Sequence, residues 1–378
     1  MSYGLDQLLS YVALGKPIEK VKNGIPDPLP EFSAIKGTAA IGDVKRFMTY
    51  RGTRLTAKRV EYNAPSLRGT HTAIGEQDVK CLTAKENLPI DGSMLIKMRS
   101  MDKYQADMGK DWLAITTRNF TTLFDNLRKA QRWMILANGT TYFDSNGNLL
   151  PSSAGALAVG AGSIDISVAA GHKNQGTDSA GNAIIDISWD NSQSNIPLQL
   201  ETFQQEQMFQ TGFDIEYALY SKEIPSYFST NDFCLDYLAR NPTFNDAFVM
   251  RGKDGQGTLP DGLFGIKRWI PTNRVFYDTE DANGTLTHRQ IFPANSLTLC
   301  PKPNQDWYEQ VEGTTLVPTT FNATADLGSA IASGRLVEGM WGYGLPQGDP
   351  FGATLFYGDV FLAFVKNPDV LWNLTVKF

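Results

Sequence analysis

The chain has 378 residues, of which 42% are hydrophobic and 20% are charged, and its formal net charge is −6. This balance is typical of a folded protein of two or three lobes and excludes wholesale disorder. An acidic chain should bind nucleic acid poorly, because the phosphates would repel it. It could still line a container that encloses nucleic acid without binding it tightly.

The cysteines and the apolar runs limit the cellular compartments in which the chain is expected. Cys81, Cys234 and Cys300 are far apart and odd in number, which disfavours a disulfide framework and favours a reducing cytoplasm. No basic and apolar leader opens the chain, and its longest apolar runs are too short to cross a bilayer. We therefore expect no membrane association.

The first 40 residues predict an N-terminal arm. Residues 1–15 have the pattern of a short amphipathic helix, and alternate prolines follow between residues 25 and 31. Alternate prolines block both helix and central strand, so this segment should be extended. Because it has no core of its own, it can become ordered only by lying on its own body or on a neighbour.

Residues 41–100 predict an extended β loop that stands away from the body. Lys36 to Arg68 contains eight basic and two acidic residues with sparse apolar positions, and a lone two-stranded ribbon is marginal in water without a partner. Its basic side chains could bind nucleic acid, could form a solvated positive face, or could dock on an acidic surface of an identical subunit; we favour the last interpretation. The candidate inter-subunit contacts are Arg46, Arg51, Arg54, Lys58, Arg59 and Arg68.

A long amphipathic helix is predicted from about Gln105 to Ala137. Apolar or small side chains recur at three- and four-residue steps, and Asn138-Gly139 supplies a C-terminal cap. A helix of this length spans roughly 45 Å, whereas the mean globular helix has about a dozen residues. Such a helix is typical of a spine on which sheets are laid, and it indicates an elongated building block rather than a compact enzyme.

The rest of the chain predicts short strands and two shorter helices. A hairpin is expected at Thr140–Phe143 and residues 148–150, because Asp144-Ser-Asn-Gly147 is a strong turn signal. Residues 303–350 are rich in Gly, Thr and Pro and resist assignment. The other predicted elements are a strand pair at 164–168 and 184–189, helices at 198–210 and 232–239, and strands at 217–220, 265–269, 275–277, 296–299, 360–365 and 371–378.

The search for chemistry predicts no catalytic, cofactor-binding or metal site. His71, His172 and His288 lack a second ligand at zinc spacing. The segments that begin at Asp144 and Asp278 resemble calcium loops but lack the distal Glu, so both are predicted to be turns. The paired carboxylates in the second segment, at 280 and 281, are predicted to be solvated.

In the order of its parts, the chain resembles the major capsid protein of tailed phages, and the nearest branch is similar to the lambda-type capsid protein E family. The likeness covers nearly the whole chain, but its motifs are short. They lie at 126–133 with Asn138-Gly139, 144–153, 187–189 with the helix up to Thr211-Gly212, 263–266 with Tyr277, and 366–368.

The resemblance implies an α+β fold, the tailed-phage and herpesvirus capsid fold of the Hong Kong 97 type. It implies an N-terminal arm (1–40), an extended loop (41–100), a peripheral domain with the spine helix (101–212), an axial domain (213–340) and C-terminal strands that return to the sheet (341–378). The implied function is structural. Hexamers and pentamers would form an icosahedral head that encloses double-stranded DNA, assembled in the host cytoplasm and found in the virion. A separate scaffolding protein, a portal and a decoration or cement protein are the implied partners.

Several points stay open in the sequence. Some relatives crosslink a loop lysine to a neighbour's asparagine, and Lys58, Lys80 and Lys85 are conceivable donors, although lambda-type shells usually rely on cement proteins. The segments 171–182 and 303–350 depart from the family pattern and are candidate decoration sites. The alternatives are a bacterial nanocompartment shell of the same fold and, third, a β-rich carbohydrate-active enzyme that uses an Asp/Glu pair.

Overall fold

The computed structural model describes residues 29–42, 44–50, 74–98, 103–158, 163–241, 259–272, 276–280, 285–318, 334–347 and 352–378. Within them the α-helices are α1 Pro30–Ala34, α2 Gly92–Met98, α3 Lys103–Asn138, α4 Ile196–Thr211, α5 Ile224–Thr230 and α6 Asp232–Arg240. The strands of the first half are β1 Val44–Tyr50, β2 Ile74–Lys80, β3 Leu82–Asp91, β4 Thr140–Phe143, β5 Leu149–Leu150, β6 Ile164–Asp165, β7 Lys173–Asn174 and β8 Tyr217–Tyr220. The strands of the second half are β9 Arg268–Pro271, β10 Phe276–Glu280, β11 Leu286–Gln290, β12 Ser296–Cys300, β13 Tyr308–Glu312, β14 Thr314–Pro318, β15 Gly334–Glu338, β16 Trp341–Gln347, β17 Gly352–Val365 and β18 Trp372–Thr375.

One sheet is built around β17, the longest of these strands. β3 pairs with one side of β17, and β16 and β13 pair with successive parts of the other side, all antiparallel. The helix α3 packs on this sheet, where the ring of Phe120 stacks on Tyr357 with centroids 4.6 Å apart. The hydroxyl groups of Thr117 and Tyr357 lie 2.8 Å apart, so this aromatic contact also satisfies two buried polar groups.

A second sheet has the order β7-β18-β12-β8-β9 and is covered on both faces. The four residues of β8 are all buried. Side chains alternate between the two faces of a strand, and both faces of this sheet are covered. Tyr217 and Leu219 join the core that contains the C-terminal end of α3, whereas Ala218 and Tyr220 join a separate core under α4 and α6. The second sheet therefore separates the two main hydrophobic cores.

Glutamines attach α4 to the second sheet and to the loop that contains Trp189. The indole Nε1 of Trp372 donates to Oε1 of Gln207 at 2.7 Å, and Nε1 of Trp189 donates to Oε1 of Gln199 at 2.7 Å. Each bond satisfies a buried indole that would otherwise lose its water partner at a large cost. This explains why a helix with a weak apolar stripe is nonetheless firmly packed.

The long helix and the first hairpin are confirmed. The helix α3 covers the predicted span and ends before Gly139, which takes φ +67° and donates its N–H to the carbonyl of Ile135. β4 and β5 form the predicted hairpin around the turn that begins at Asp144. The predicted helix at 232–239 is also confirmed as α6, and Asn231 caps it by accepting the N–H of Cys234 at 3.0 Å.

The predicted pairing of residues 164–168 with 184–189 is wrong. β6 ends at Asp165 because Ser167 takes φ +55°, where its N–H bonds to the carboxylate of Asp165, and β6 pairs with β4. The N–H groups of Ile184 and Ile185 bond instead to the carbonyls of residues 176 and 175. The alternating sequence 184–189 therefore forms a packed loop rather than a strand.

The predicted divisions of the chain do not coincide with the sheets. Within the predicted extended loop 41–100, β1 and β2 form a ribbon, but all ten residues of β3 pair with β17 in the first sheet. Within 303–350, left unassigned from the sequence, the structure places β13 to β16. The C-terminal strands divide, since β17 belongs to the first sheet and β18 to the second.

Candidate functional site

The described part of the arm is anchored on its own body by Phe32. This side chain is fully buried, and its ring meets those of Tyr217, Trp307 and Tyr308 edge to face at 6.1, 5.9 and 5.1 Å. Arg268 also contacts Glu31 with an Nη1–Oε1 distance of 2.5 Å. The anchor is therefore an aromatic pocket reinforced by an ion pair at its rim.

After this anchor the arm runs parallel to β13. The N–H of Gly37 donates to the carbonyl of Gln310 at 2.7 Å, and the N–H of Ala40 donates to that of Glu312 at 2.9 Å. The sequence left open whether the arm lies on its own body or on a neighbour. For residues 29–42 the structure gives its own body, and the earlier part of the predicted arm lies outside the described residues.

The ribbon of β1 and β2 is also anchored at its base. Phe47 is buried and stacks on Phe364 of β17 with centroids 4.3 Å apart. Of the six predicted contact residues, only Arg46 lies among the described residues. Its Nε and Nη2 donate to the carboxylate of Asp78 at 2.7 and 3.0 Å, and this hydrogen bonding lowers the pKa of Asp78. The charge of Arg46 is thus matched inside its own ribbon.

The other predicted contacts cannot be placed. Arg51, Arg54, Lys58, Arg59 and Arg68 lie outside the described residues. Of the conceivable crosslink donors, Lys58 does so too, whereas Lys80 in β2 and Lys85 in β3 are described and exposed. Neither the docking interpretation nor the crosslink is tested by these positions, so both stay predictions.

Sequence reasoning missed a group of exposed apolar side chains on α3 and at the end of the docked arm. On α3, Met108, Ile115 and Leu123 are each 56% exposed, and they recur at steps of seven and eight residues on the side away from β17. Ile41, at the end of the docked arm, is 94% exposed. Apolar side chains grouped on one face of an element mark interaction surfaces.

A third exposed pair lies on a second ribbon. β14 pairs with β15, and Leu316 stands opposite Leu336 in this register. Both leucines are exposed, whereas Val317 and Val337 on the other face are buried against Trp341. The side chains alternate as in a half-buried strand, but the outer face carries leucines where polar residues are usual. The signal in the sequence was the hydrophobic pattern itself, which does not say which face is covered.

The turns that begin at Asp144 and Asp178 do not offer a cation site. The carboxylate of Asp144 accepts the N–H groups of Asn146 and Asn148, each at 2.8 Å, and Asp178 accepts those of Ala180 and Asn182 at 3.0 and 2.7 Å. Both carboxylates are therefore used inside their own turns, as predicted for the segment at 144. The described residues contain no group of three His, Cys, Asp or Glu side chains that could hold a metal ion.

The remaining side chains with reactive groups are the cysteines and the histidines. Cys81, Cys234 and Cys300 are buried thiols outside any disulfide, and burial raises the pKa of the Cys234 thiol to about 12. His288 contacts Asp278 across β10 and β11 on an exposed ribbon, and His71 lies outside the described residues. In the described part of the chain, no helix is long and apolar enough to span a membrane.

No sequence-family model matches the chain, and no curated protein matches it in sequence. Among solved structures it is similar to a candidate prophage capsid protein from E. coli CFT073, at a TM-score of 0.53 and 12% identity, over 97% of this chain and 99% of that one. A phage-related protein from Bordetella bronchiseptica RB50 matches at a TM-score of 0.47 and 9% identity, over 97% and 96% of the two chains. A virus-like particle from Pyrococcus furiosus matches at a TM-score of 0.38 and 10% identity, over 96% of each chain. The first of these matches covers both chains almost completely, and the chain therefore has the α+β fold of tailed-phage capsid proteins, the Hong Kong 97 type.

Proposed function

We propose that the chain is the major structural subunit of a tailed-phage head. The observation that carries the proposal is its fold, which it shares over 97% of its length with a candidate prophage capsid protein. The exposed apolar side chains on α3, on the arm and on the second ribbon support it, because a monomer gains nothing from them.

The mechanism is repeated burial of modest contacts. Each subunit of a closed shell makes many identical contacts, so interfaces that are individually weak become strong together. We place the subunit in hexamers and pentamers of an icosahedral shell that encloses double-stranded DNA in the virion. The net charge of −6 suits a container that does not grip its contents.

The finer assignments belong to the same proposal. We propose the lambda-type branch for this subunit. That branch implies assembly in the host cytoplasm and, as partners, a separate scaffolding protein, a portal and a cement protein. The domain bounds 1–40, 41–100, 101–212, 213–340 and 341–378 are proposed with it.

Electron microscopy of the expressed chain tests the proposal. We expect rings or closed shells, and co-expression with neighbouring genes should raise the proportion of closed shells. Particles from phage-infected cells should contain nuclease-protected DNA, whereas a nanocompartment would contain protein cargo. A well-behaved monomer at high concentration, with or without the neighbouring genes, would contradict the proposal.

A further inference from the structure

The carboxyl group of Glu309 in β13 is buried against the docked arm. Its side chain is only 9% exposed, and its Oε2 lies 2.5 Å from the Nζ of Lys366, the residue after β17. Gly37 of the arm packs on the same group, since a Cβ atom at this position would come within 1.7 Å of Oε1 of Glu309. Only a glycine lets the arm approach so closely while its N–H bonds to the carbonyl of Gln310.

Lys45 of β1 joins the arm to this carboxyl group. Its Nζ donates to the carbonyl oxygen of Thr38 at 2.9 Å and to Oγ1 of the same residue at 2.5 Å, and it lies 4.0 Å from Oε1 of Glu309. Although Lys45 belongs to the ribbon, its side chain is only 16% exposed. Phe47, two residues further along β1, is buried on Phe364, so Lys45 and Phe47 share the face of the ribbon that meets the body.

Gln305 completes a ring of contacts around the arm. Its Nε2 donates to the carbonyl oxygen of Lys36 at 3.0 Å, and the Nζ of Lys366 donates to the carbonyl oxygen of Gln305 at 2.6 Å. The three successive arm residues 36–38 are thus held by groups that also contact one another through Glu309. In such a network, the loss of one contact weakens the hold of the others.

We propose that Gly37, Lys45 and Glu309 form a latch that couples the docked arm to the base of the ribbon of β1 and β2. When the ribbon moves away from the body, Lys45 leaves Thr38 and the arm loses both hydrogen bonds. When the arm lifts, Lys45 loses the same two acceptors and keeps only its longer ion pair with Glu309. Coupling of this kind is reciprocal, so a partner that displaces either element should loosen the other. The inference rests on side-chain geometry alone and does not depend on the proposed function.

Hydrogen exchange of the full-length chain tests the latch from the side of the ribbon with Lys45→Met. The substitution keeps most of the apolar stem and removes the donors. Exchange of the arm segment 37–40 should become about tenfold faster, because hydrogen bonds from a charged group are lost, although the change lies in β1. The matched control is Arg46→Met, the next residue, whose guanidinium binds Asp78 within the ribbon. It should leave exchange of the arm at the wild-type rate.

Gly37→Ala tests the latch from the side of the arm. The added Cβ forces either the arm or the carboxyl group of Glu309 to move. Exchange of residues 76–80 in β2 should become about threefold faster, although the change lies outside the ribbon. The matched control, Lys36→Met, alters an exposed side chain next to it in the arm and should leave both segments at the wild-type rate.

The double variant of Lys45→Met and Gly37→Ala separates one latch from two independent contacts. If both changes disable the same latch, the double variant should exchange about as fast as the faster single variant, whereas independent effects would multiply. Effects that multiply, unchanged arm exchange in Lys45→Met, or unchanged ribbon exchange in Gly37→Ala would overturn the proposal. If Gly37→Ala does not fold, Thr38→Val replaces it, because it removes only the hydroxyl acceptor of an exposed residue. Ribbon exchange at the wild-type rate in that variant would also overturn the proposal.

Discussion

Arg128 and Asp359 join the C-terminal half of α3 to β17 through a buried ion pair. The guanidinium Nε lies 2.7 Å from Oδ2 of Asp359, whose side chain is only 2% exposed. The Nη1 of Arg128 also lies 2.7 Å from Oε1 of Glu312 in β13, and the guanidinium lies over the ring of Phe361. One side chain on α3 thus fixes the register of the helix against two strands.

Arg128→Met should therefore strongly lower the stability of α3 and the first sheet. The substitution leaves the carboxylate of Asp359 buried without its cation, and breaking a buried pair in this way costs about 3 to 5 kcal/mol. The measurement is denaturant unfolding followed by far-UV circular dichroism. The control, Arg118→Met, removes an exposed arginine from the same helix and should change stability by no more than about 0.5 kcal/mol. Equal midpoints for the two variants would show that the pair contributes little.

Phe32→Ala should release the docked arm. The substitution empties the pocket formed by Tyr217, Trp307 and Tyr308, and truncation of a buried Phe costs about 3 to 5 kcal/mol. Limited proteolysis should then cut within 29–42 at protease concentrations that leave the wild type intact. Ser33→Ala, one residue further on, is the matched control and should keep the arm protected. An equally resistant Phe32→Ala would mean that the backbone bonds to β13 suffice.

The long helix and the hairpin after it were predictable because their signals are local. A 3.6-residue period sustained from Leu113 to Met134 has few alternatives, and Asn-Gly sets a tight turn. The stretch 184–189 shows the limit of such signals. Its alternation suggested a strand, but the N–H of Trp189 bonds to the carbonyl of Val376 at the far end of the chain. Tertiary contacts of this kind leave no trace in a local window.

The candidate surfaces were predictable only in part. The sequence drew attention to basic residues because charge runs are visible, and the one that is described, Arg46, is paired with Asp78 in its own ribbon. In the sequence, the exposed residues Ile115 and Leu123 cannot be told from apolar residues of the core. Only the packing of β17 decides which side of α3 is covered. This strand lies more than 200 residues later in the chain.

The three thiols should stay unreactive while the protein is folded. All are buried, and burial raises the pKa of the Cys234 and Cys300 thiols, so the nucleophilic thiolate is scarce at neutral pH. Titration with a disulfide reagent at pH 8 should give no fast phase in native protein and three equivalents after denaturation. One equivalent that reacts at once in the native state would show that a thiol is accessible.

The turn at Asp178 should contribute stability that depends on pH. Hydrogen bonds from the backbone and the side chain of Asn182 lower the pKa of Asp178. A depressed carboxyl pKa stabilises the folded state above the unfolded value of about 3.9, and this stability is lost as the pH falls through the folded value. Asp178→Asn should therefore be less stable than the wild type at pH 6, and the difference should shrink below about pH 3.9.

Unfolding by urea at several pH values measures this difference. Asp306→Asn, which changes an exposed carboxylate outside the two aspartate turns, is the control and should show no such trend. Asp144 has the same pattern of bonds to Asn146 and Asn148, so Asp144→Asn should repeat the behaviour of Asp178→Asn. A difference that persists unchanged in acid would assign the effect to packing rather than to the charge.

The exposed face of α3 gives the sharpest test of self-association, because it can be altered without touching the core. Ile115→Ser and Leu123→Ser remove apolar area that is already mostly in solvent, so the folded subunit should lose no more than about 0.5 kcal/mol each, and the double variant should keep its far-UV spectrum. If this face is an interface, the same changes act at every copy of a repeated contact, and shells should be lost or reduced to small oligomers. Asn119→Ser lies between the two positions on the exposed side and should assemble normally. Shells of normal yield and stability from the double variant would remove this face from the interface and leave self-association to the arm and the ribbons.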